Sequence, residues 1–349
     1  MWIVDGHLDL GMNKLWYNRD LTRPLSEIRS SEGGAHPDVG TSTVTLSEMS
    51  EKKILLCFAT LIALPFKAGN KSFAEGYKTP EQARQQAMDQ VAYYRKLDEQ
   101  GVIRFITSLE TLDAQVAEVE AGRTARVGLI LLMEGADPIV RPEDMGQWHD
   151  AGLRLIGPAW YGEGRYVHGT GTPGPFKAGG RELLKAMEEA GMVLDASHLA
   201  EEAFYEAMDW FGGTILASHS NARALVPGDR QISDDMIRKL IERDAVIGAV
   251  LDCWMLQPGW SKTKPNTVQL TAVADHIDHV CQLAGNTNHS AIGSDLDGGF
   301  GREQSPADLN TIGDLHIIAD ILRTRGYGDE DINKINHGNW LRLIRSAWS

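Results

Sequence analysis

Asp5-Gly6-His7-Leu8-Asp9 follows directly on a short apolar run, Trp2-Ile3-Val4. Residues two apart in an extended segment point the same way, so His7 and Asp9 can face one ion, and imidazole and carboxylate are both good ligands for zinc and similar divalent metals. A His beside an Asp is also an ordinary hydrogen-bonded pair. The question is therefore whether the rest of the chain delivers more ligands to the same place. Further apolar runs end in the same way: Met133-Glu134, Asp195-Ala196-Ser197-His198, Ser218-His219, and Gly293-Ser294-Asp295-Leu296-Asp297-Gly298.

Eight apolar runs read as strands: Trp2–Val4, Ile54–Leu64, Val127–Met133, Leu153–Pro158, Met192–Leu194, Thr214–Ala217, Ala245–Leu251 and Ser290–Gly293. Helix signals lie between them. Thr79-Pro80-Glu81-Gln82 offers an N-cap, a proline at N1 and a capping-box glutamine before a helix ending near Gly101; Ser233-Asp234-Asp235 and Ser305-Pro306-Ala307-Asp308 have the form of further starts. Strand followed by helix, repeated, implies parallel strands with right-handed crossovers. Eight such units make a (β/α)8 TIM barrel, α/β in class, expected as one domain over residues 1–349. Long loops are expected at about 11–50, where the chain is polar, and 161–180, where glycine is dense. In a barrel the C-terminal strand ends converge on one face, so His7, Asp9, Glu134, His198, His219 and Asp295 would meet there from five strands.

Composition excludes several other roles. The net charge of −14, from 48 acidic and 34 basic residues, leaves no cationic surplus to neutralise phosphates, so no nucleic-acid partner is expected. The apolar runs are too short to span a bilayer, and no membrane partner is expected. Met1 lies four residues before Asp5 with no signal-peptide pattern between them, which makes a cytoplasmic location the expectation. Three widely spaced cysteines, Cys57, Cys253 and Cys281, without any Cys-x-x-Cys pair, point to reduced structural thiols rather than a thiolate metal site.

With these motifs in view, the chain resembles the membrane dipeptidase (renal dipeptidase) family, peptidase family M19, of the metal-dependent amidohydrolase superfamily. The resemblance runs from Asp5-Gly6-His7-Leu8-Asp9 to Asn336-His337-Gly338-Asn339-Trp340-Leu341-Arg342. It implies two Zn2+ per chain, one held by His7, Asp9 and Glu134, the other by Glu134, His198 and His219, with Glu134 bridging. It implies Asp295 as the catalytic acid–base residue, Arg230 as the holder of the substrate carboxylate, a dipeptide as substrate, and a homodimer as a common assembly. The chemistry agrees with that assignment. A bridging carboxylate can hold two ions roughly 3.5–4 Å apart, and a hydroxide between them would attack the amide; an arginine fork suits a terminal carboxylate.

One departure bears on the substrate. Where these dipeptidases end the corresponding strand in a histidine that contacts the substrate carbonyl, this chain has Gly157-Pro158-Ala159-Trp160. Trp160 therefore takes that position, and His168, in the glycine-rich loop that follows, is a candidate to fold back in its place. This keeps open an amidohydrolase acting on an N-acyl amino acid or another non-dipeptide amide and, from another class, a catalytically inactive barrel that binds a ligand. Trp254 and Trp260 are candidates to wall the pocket. His149, His276, His279, His316 and His337 are expected at the surface or behind the ligands.

Overall fold

The computed structural model describes residues 1–67, 75–122 and 126–349. Its strands are β1 (Ile3–Leu8), β2 (Ile54–Ile62), β3 (Ile103–Phe105), β4 (Val127–Glu134), β5 (Leu153–Gly157), β6 (Val193–Asp195), β7 (Ile215–Leu216), β8 (Ile247–Ala249) and β9 (Ser290–Ile292). All pairings among them are parallel, and β1-β2-β4-β5-β6-β7 forms one continuous path. A parallel bridge between Ala217 and Ile247 carries the path on to the β8–β9 pair. The ring closes where Asp295 N donates to His7 O at 3.2 Å and Ser294 N donates to Asp5 Oδ1 at 2.8 Å. These are the eight expected barrel strands, in the fold class read from the sequence. The ninth, β3, was not foreseen: it is three residues long, contains Arg104, and pairs only with the start of β4, outside the ring.

The period-two pattern of a strand explains where the core sits. Leu56 and Phe58 of β2 and Ile130 and Leu132 of β4 pack with Val4, Leu155, Val193, Leu216 and Ala291 inside the ring. Their neighbours Cys57, Ala59 and Leu61, and Leu129, Leu131 and Met133, pack outward in a second, larger cluster shared with the helices. Trp340, from the C-terminal helix Asn339–Trp348, joins the inner cluster and donates from Nε1 to Ile292 O at 2.9 Å. Continuing the inner face of β4 two residues beyond Leu132 reaches Glu134, and continuing that of β2 beyond Phe58 reaches Thr60. The inner face is thus apolar until polar groups begin at the C-terminal strand ends.

Three local expectations meet different outcomes. Thr79 caps the helix Pro80–Glu99 and Ser233 caps Asp234–Glu242, each accepting a hydrogen bond from the backbone three residues on. Ser305-Pro306-Ala307-Asp308 starts no helix, because Asp308 Oδ1 instead accepts from Leu270 N, at the start of the neighbouring helix Leu270–Ala284. The next helix, His316–Thr324, follows a 3-10 turn at Ile312–Leu315 whose cap is Thr311. The stretch 11–50 is no open loop either: it holds most of the helix Leu10–Tyr17, then Leu25–Ser31 and most of Leu46–Glu51. Asp297 anchors that stretch by accepting hydrogen bonds from Ser42 Oγ, Thr43 N and Oγ1, and Val44 N. From Tyr161 to the helix at Gly180–Glu189 the chain runs through turns and isolated bridges such as Tyr161 with Thr170 and Val167 with Phe176. The three cysteines are buried and free, and among the described residues no helix is long and apolar enough to cross a membrane.

Candidate metal centre

Each candidate ligand stands at or just past a strand end. His7 lies in β1 where the register to β2 shifts between Asp5 and Leu8, and Asp9 immediately precedes the first helix. Glu134 is the last residue of β4, opposite Ile62 and Gly157. His198 and His219 follow β6 and β7 by three residues each. His198 adopts a left-handed backbone, φ 65°, as does Asp295, φ 58°.

These side chains converge on Glu134. Its Oε2 lies 3.5 Å from His7 Nε2, and its Oε1 lies 3.2 Å from His198 Nε2 and 3.4 Å from His219 Nε2. His198 Nε2 and His219 Nε2 are 3.1 Å apart. His7 Nε2 is also 4.0 Å from Asp9 Oδ1 and 3.8 Å from Asp295 Oδ1. Two sets of three ligands result, His7 with Asp9 and Glu134, and Glu134 with His198 and His219. Glu134 belongs to both, one oxygen to each.

The donor set fits divalent ions. Tetrahedral zinc with bonds of about 2.0–2.1 Å puts its ligand atoms roughly 3.3 Å from one another, close to the spacings among Glu134, His198 and His219. The set around His7 and Asp9 is wider. His7 Nε2 is wholly buried without a hydrogen-bond partner among the described residues, which is costly unless something else occupies its lone pair. The charges point the same way. Burial disfavours a charged His7, yet the carboxylates of Glu134, Asp295 and Asp9 outweigh it and push the metal-free imidazole up to about 10. Burial also works against a charged Glu134, but His7 and the hydrogen bonds of His198 and His219 carry it well below the usual range. Burial and repulsion from Glu134 push Asp9 up to about 6. Asp295 rises well above its ordinary value through burial and the negative charges of Asp9 and Glu134, despite His7 and Arg230. His198 falls to about 4, through burial and the charge of Arg230. Carboxylates that raise the proton affinity of His7, beside a His198 that burial keeps neutral, form a site short of positive charge.

Arg230 is buried; its Nη2 donates to His219 O at 2.8 Å, while its Nη1 is buried without a hydrogen-bond partner among the described residues. It lines one cavity with Asp9, Glu134, His198 and Asp295. Met12, Ile62, Leu64, Trp160 and Met255 give that cavity an apolar side. A wider surface cleft, lined by Arg181, Glu182, Lys185, Glu188, Glu189 and Trp210, has none of this convergence.

Trp160 thus does reach the cavity, whereas His168 does not line it: its Nδ1 sits 2.8 Å from Pro175 O, within its own loop. Trp254 is not a wall residue but donates from Nε1 to Asp252 Oδ2 at 2.7 Å. His276, expected near the surface or behind the ligands, is buried in its helix and accepts from Ala222 N at 3.1 Å. Tyr161 and Asp252 are cavity residues outside the candidates read from the sequence. Tyr161 lies edge-on to the His198 ring, centroids 4.9 Å apart. Asp252 directly follows the apolar run Ala245–Leu251 and is pushed up to about 6 by burial, against hydrogen bonds from Gln304 and Trp254. The rule that singled out Glu134, an acid directly after an apolar run, would also have found Asp252.

The chain matches the model of the membrane dipeptidases (peptidase family M19) over residues 1–348. It is similar to an uncharacterized protein of the pqqA 5′ region of Klebsiella pneumoniae, 30% identical over 242 residues, 66% of this chain and 87% of that protein. It is similar also to dipeptidase tcpJ of Claviceps purpurea, 29% identical over 204 residues, 57% of this chain but only 46% of that longer protein. Its fold is shared with a metallopeptidase from Rhodobacter sphaeroides solved with a phosphinate mimic of the dipeptide L-Ala-D-Ala, at a TM-score of 0.80, 22% identity, and coverage of 100% of this chain and 99% of that one. The chain therefore belongs to the membrane dipeptidase family, peptidase family M19, a family of metal-dependent dipeptidases.

Proposed function

We propose that this protein is a dipeptidase working with two zinc ions, the first held by His7, Asp9 and Glu134, the second by Glu134, His198 and His219. The observation that carries this reading is Glu134, whose two oxygens face separate ligand sets within 3.5 Å. Bound ions supply two things there, polarisation of the scissile carbonyl and acidification of water.

The protein's own groups do the rest. Arg230 presents its unpartnered Nη1 to the substrate's terminal carboxylate, and its hydrogen bond to His219 O ties that anchor to the ligand set. Asp295 Oδ1 takes the proton released when water adds to the carbonyl and returns it to the leaving amine, so that amide and water become acid and amine. The raised affinity of Asp295 for protons in this buried setting suits that exchange. Asp297 takes no part, because its carboxylate is held by Ser42, Thr43 and Val44.

The apolar side of the cavity, with Trp160 at the position where the dipeptidases' pattern has a substrate-contacting histidine, favours a second reading, hydrolysis of N-acyl amino acids. A panel of dipeptides and N-acyl amino acids, offered to chelated and zinc-reloaded protein with amine release followed, separates the two. Dipeptide turnover supports the first reading. Turnover of N-acyl amino acids alone replaces it with the second.

A further inference from the structure

Behind the ligands, a second group of polar atoms converges on one hydroxyl. Ser218 Oγ donates to Asp195 Oδ2. The same oxygen lies 2.8 Å from His219 Nδ1 and 3.3 Å from His7 Nδ1. Asp195 is held in turn, since its Oδ1 accepts from Ser197 N at 3.0 Å and from Ser218 N at 2.9 Å. Ser197 Oγ, 3.3 Å from Ser218 Oγ, accepts from His219 N at 3.2 Å. All of these groups are buried.

His7, Asp195 and His219 bring ligand-type atoms close enough to suggest a third metal site. The Ser218 hydroxyl, bonded to all three, makes the group a hydrogen-bonded support instead. Its polarity follows from donor and acceptor counts. An ionised carboxylate only accepts, so the serine hydrogen goes to Asp195, and the serine lone pairs then require N–H groups on the Nδ1 atoms of His7 and His219. In a neutral ring that tautomer leaves the Nε2 lone pair on the side of Glu134.

The backbone is built to hold this serine in place. A Cβ on Gly248 would come within 2.0 Å of Ser218 O, and one on Gly293 within 1.8 Å. Only glycine at those two positions lets the strand ends close on the Ser218 carbonyl. His198 is supported differently, by Thr170 Oγ1 3.0 Å from its Nδ1.

We propose that Ser218, polarised by Asp195, is the common support of both metal sites, orienting one histidine of each, His7 of the first and His219 of the second. Ser218 and Asp195 are positioning residues, acting through the ligands. The inference rests on the two-ion reading above, and its distinctive content is the pairing: one hydroxyl serves two sites, whereas Thr170 serves one.

The test is competitive chelator titration of zinc on wild type, Ser218→Ala, Asp195→Asn and Thr170→Val, together with nitrogen NMR of the histidine rings in the metal-free proteins. Loss of an outer-shell partner typically weakens metal affinity by about 10–100-fold. Ser218→Ala is expected to weaken both ions by that factor. Asp195→Asn, which keeps the shape but turns one acceptor into a donor, is expected to act in the same direction. Thr170→Val is expected to weaken only one ion. In wild type the His219 ring is expected to carry its hydrogen on Nδ1 and in Ser218→Ala to lose that preference. Two wild-type ions with both affinities unchanged in Ser218→Ala would overturn the proposal. Should wild type take up fewer than two ions, the two-ion reading fails on its own, and the ring measurement still decides: an unchanged Nδ1–H in Ser218→Ala overturns the role of the hydroxyl.

Discussion

Asp295 and His7 meet twice: the Asp295 backbone N–H donates to the His7 carbonyl at 3.2 Å, and Asp295 Oδ1 stands 3.8 Å from His7 Nε2. The contact that closes the barrel therefore also brings the carboxylate proposed as the acid–base group beside His7 of the first candidate ligand set. Asp295 has a left-handed backbone, φ 58°, which asparagine tolerates as readily as aspartate. Asp295→Asn is accordingly expected to fold, to keep both ions by elemental analysis, and to lose about 10²–10⁴-fold in kcat. Turnover near wild type would remove Asp295 from the mechanism.

Glu134 is the carboxylate that both ligand sets share. Glu134→Gln should therefore depress uptake of both ions rather than of one, measured by elemental analysis after dialysis. Turnover should fall by more than the roughly 10–100-fold that follows loss of an outer-shell partner. Loss of a single ion with the other held as tightly as before would show that Glu134 does not bridge.

Arg230 offers a buried Nη1 with no hydrogen-bond partner among the described residues. Removing one member of a buried, hydrogen-bonded charge pair costs about 2–5 kcal/mol. Arg230→Met should thus lower kcat/KM for substrates with a free terminal carboxylate by roughly 30-fold to several thousand-fold, with little further loss for their C-terminal amides. Arg230→Lys should rescue poorly, because an ammonium lacks the planar fork. Equal losses for acids and amides would contradict the assignment.

His276 lies away from the metal centre and gives a stability prediction. Burial and the nearby charge of His279 lower its pKa to about 4, against a hydrogen bond to the Met255 carbonyl that favours protonation. Between pH 4 and the unfolded value near 6.5 the unfolded chain holds a proton that the folded chain does not, so stability rises with pH across that window. The contribution is complete above about pH 6.5 and is lost as pH falls towards 4, to the extent of about 3 kcal/mol. His276→Asn keeps an acceptor for Ala222 N and should flatten the dependence of unfolding free energy on pH by about one proton in that window. An unchanged slope in denaturant titrations would refute it.

How much of this was legible beforehand follows a physical divide. Glu134 and Asp295 were visible because each closely follows an apolar run, and a parallel barrel gathers its C-terminal strand ends on one face. The same logic reaches Asp252, the acid directly after Leu251. The short β3 carried too weak an apolar signal, with Arg104 at its centre, and borrows its pairing from the start of β4. Asp308 shows a different limit: a capping residue written like a helix start caps the helix beside it, which only tertiary contact decides. Tyr161 and the placement of His168 depend on how the irregular loop folds back, and local spacing does not encode that. Ser218 carries no local signal, since its hydroxyl meets the Nδ1 atoms of His7 and His219, two residues far apart in the chain.

The central claim is that two ions bridged by Glu134 make this protein a dipeptidase, and activity as a function of zinc per chain tests it most directly. Chelated protein, titrated with zinc while dipeptide hydrolysis is followed, should rise to a plateau at two ions per chain and lose that activity again on chelation. A plateau reached at one ion, or no dipeptide hydrolysis at two, would contradict the account.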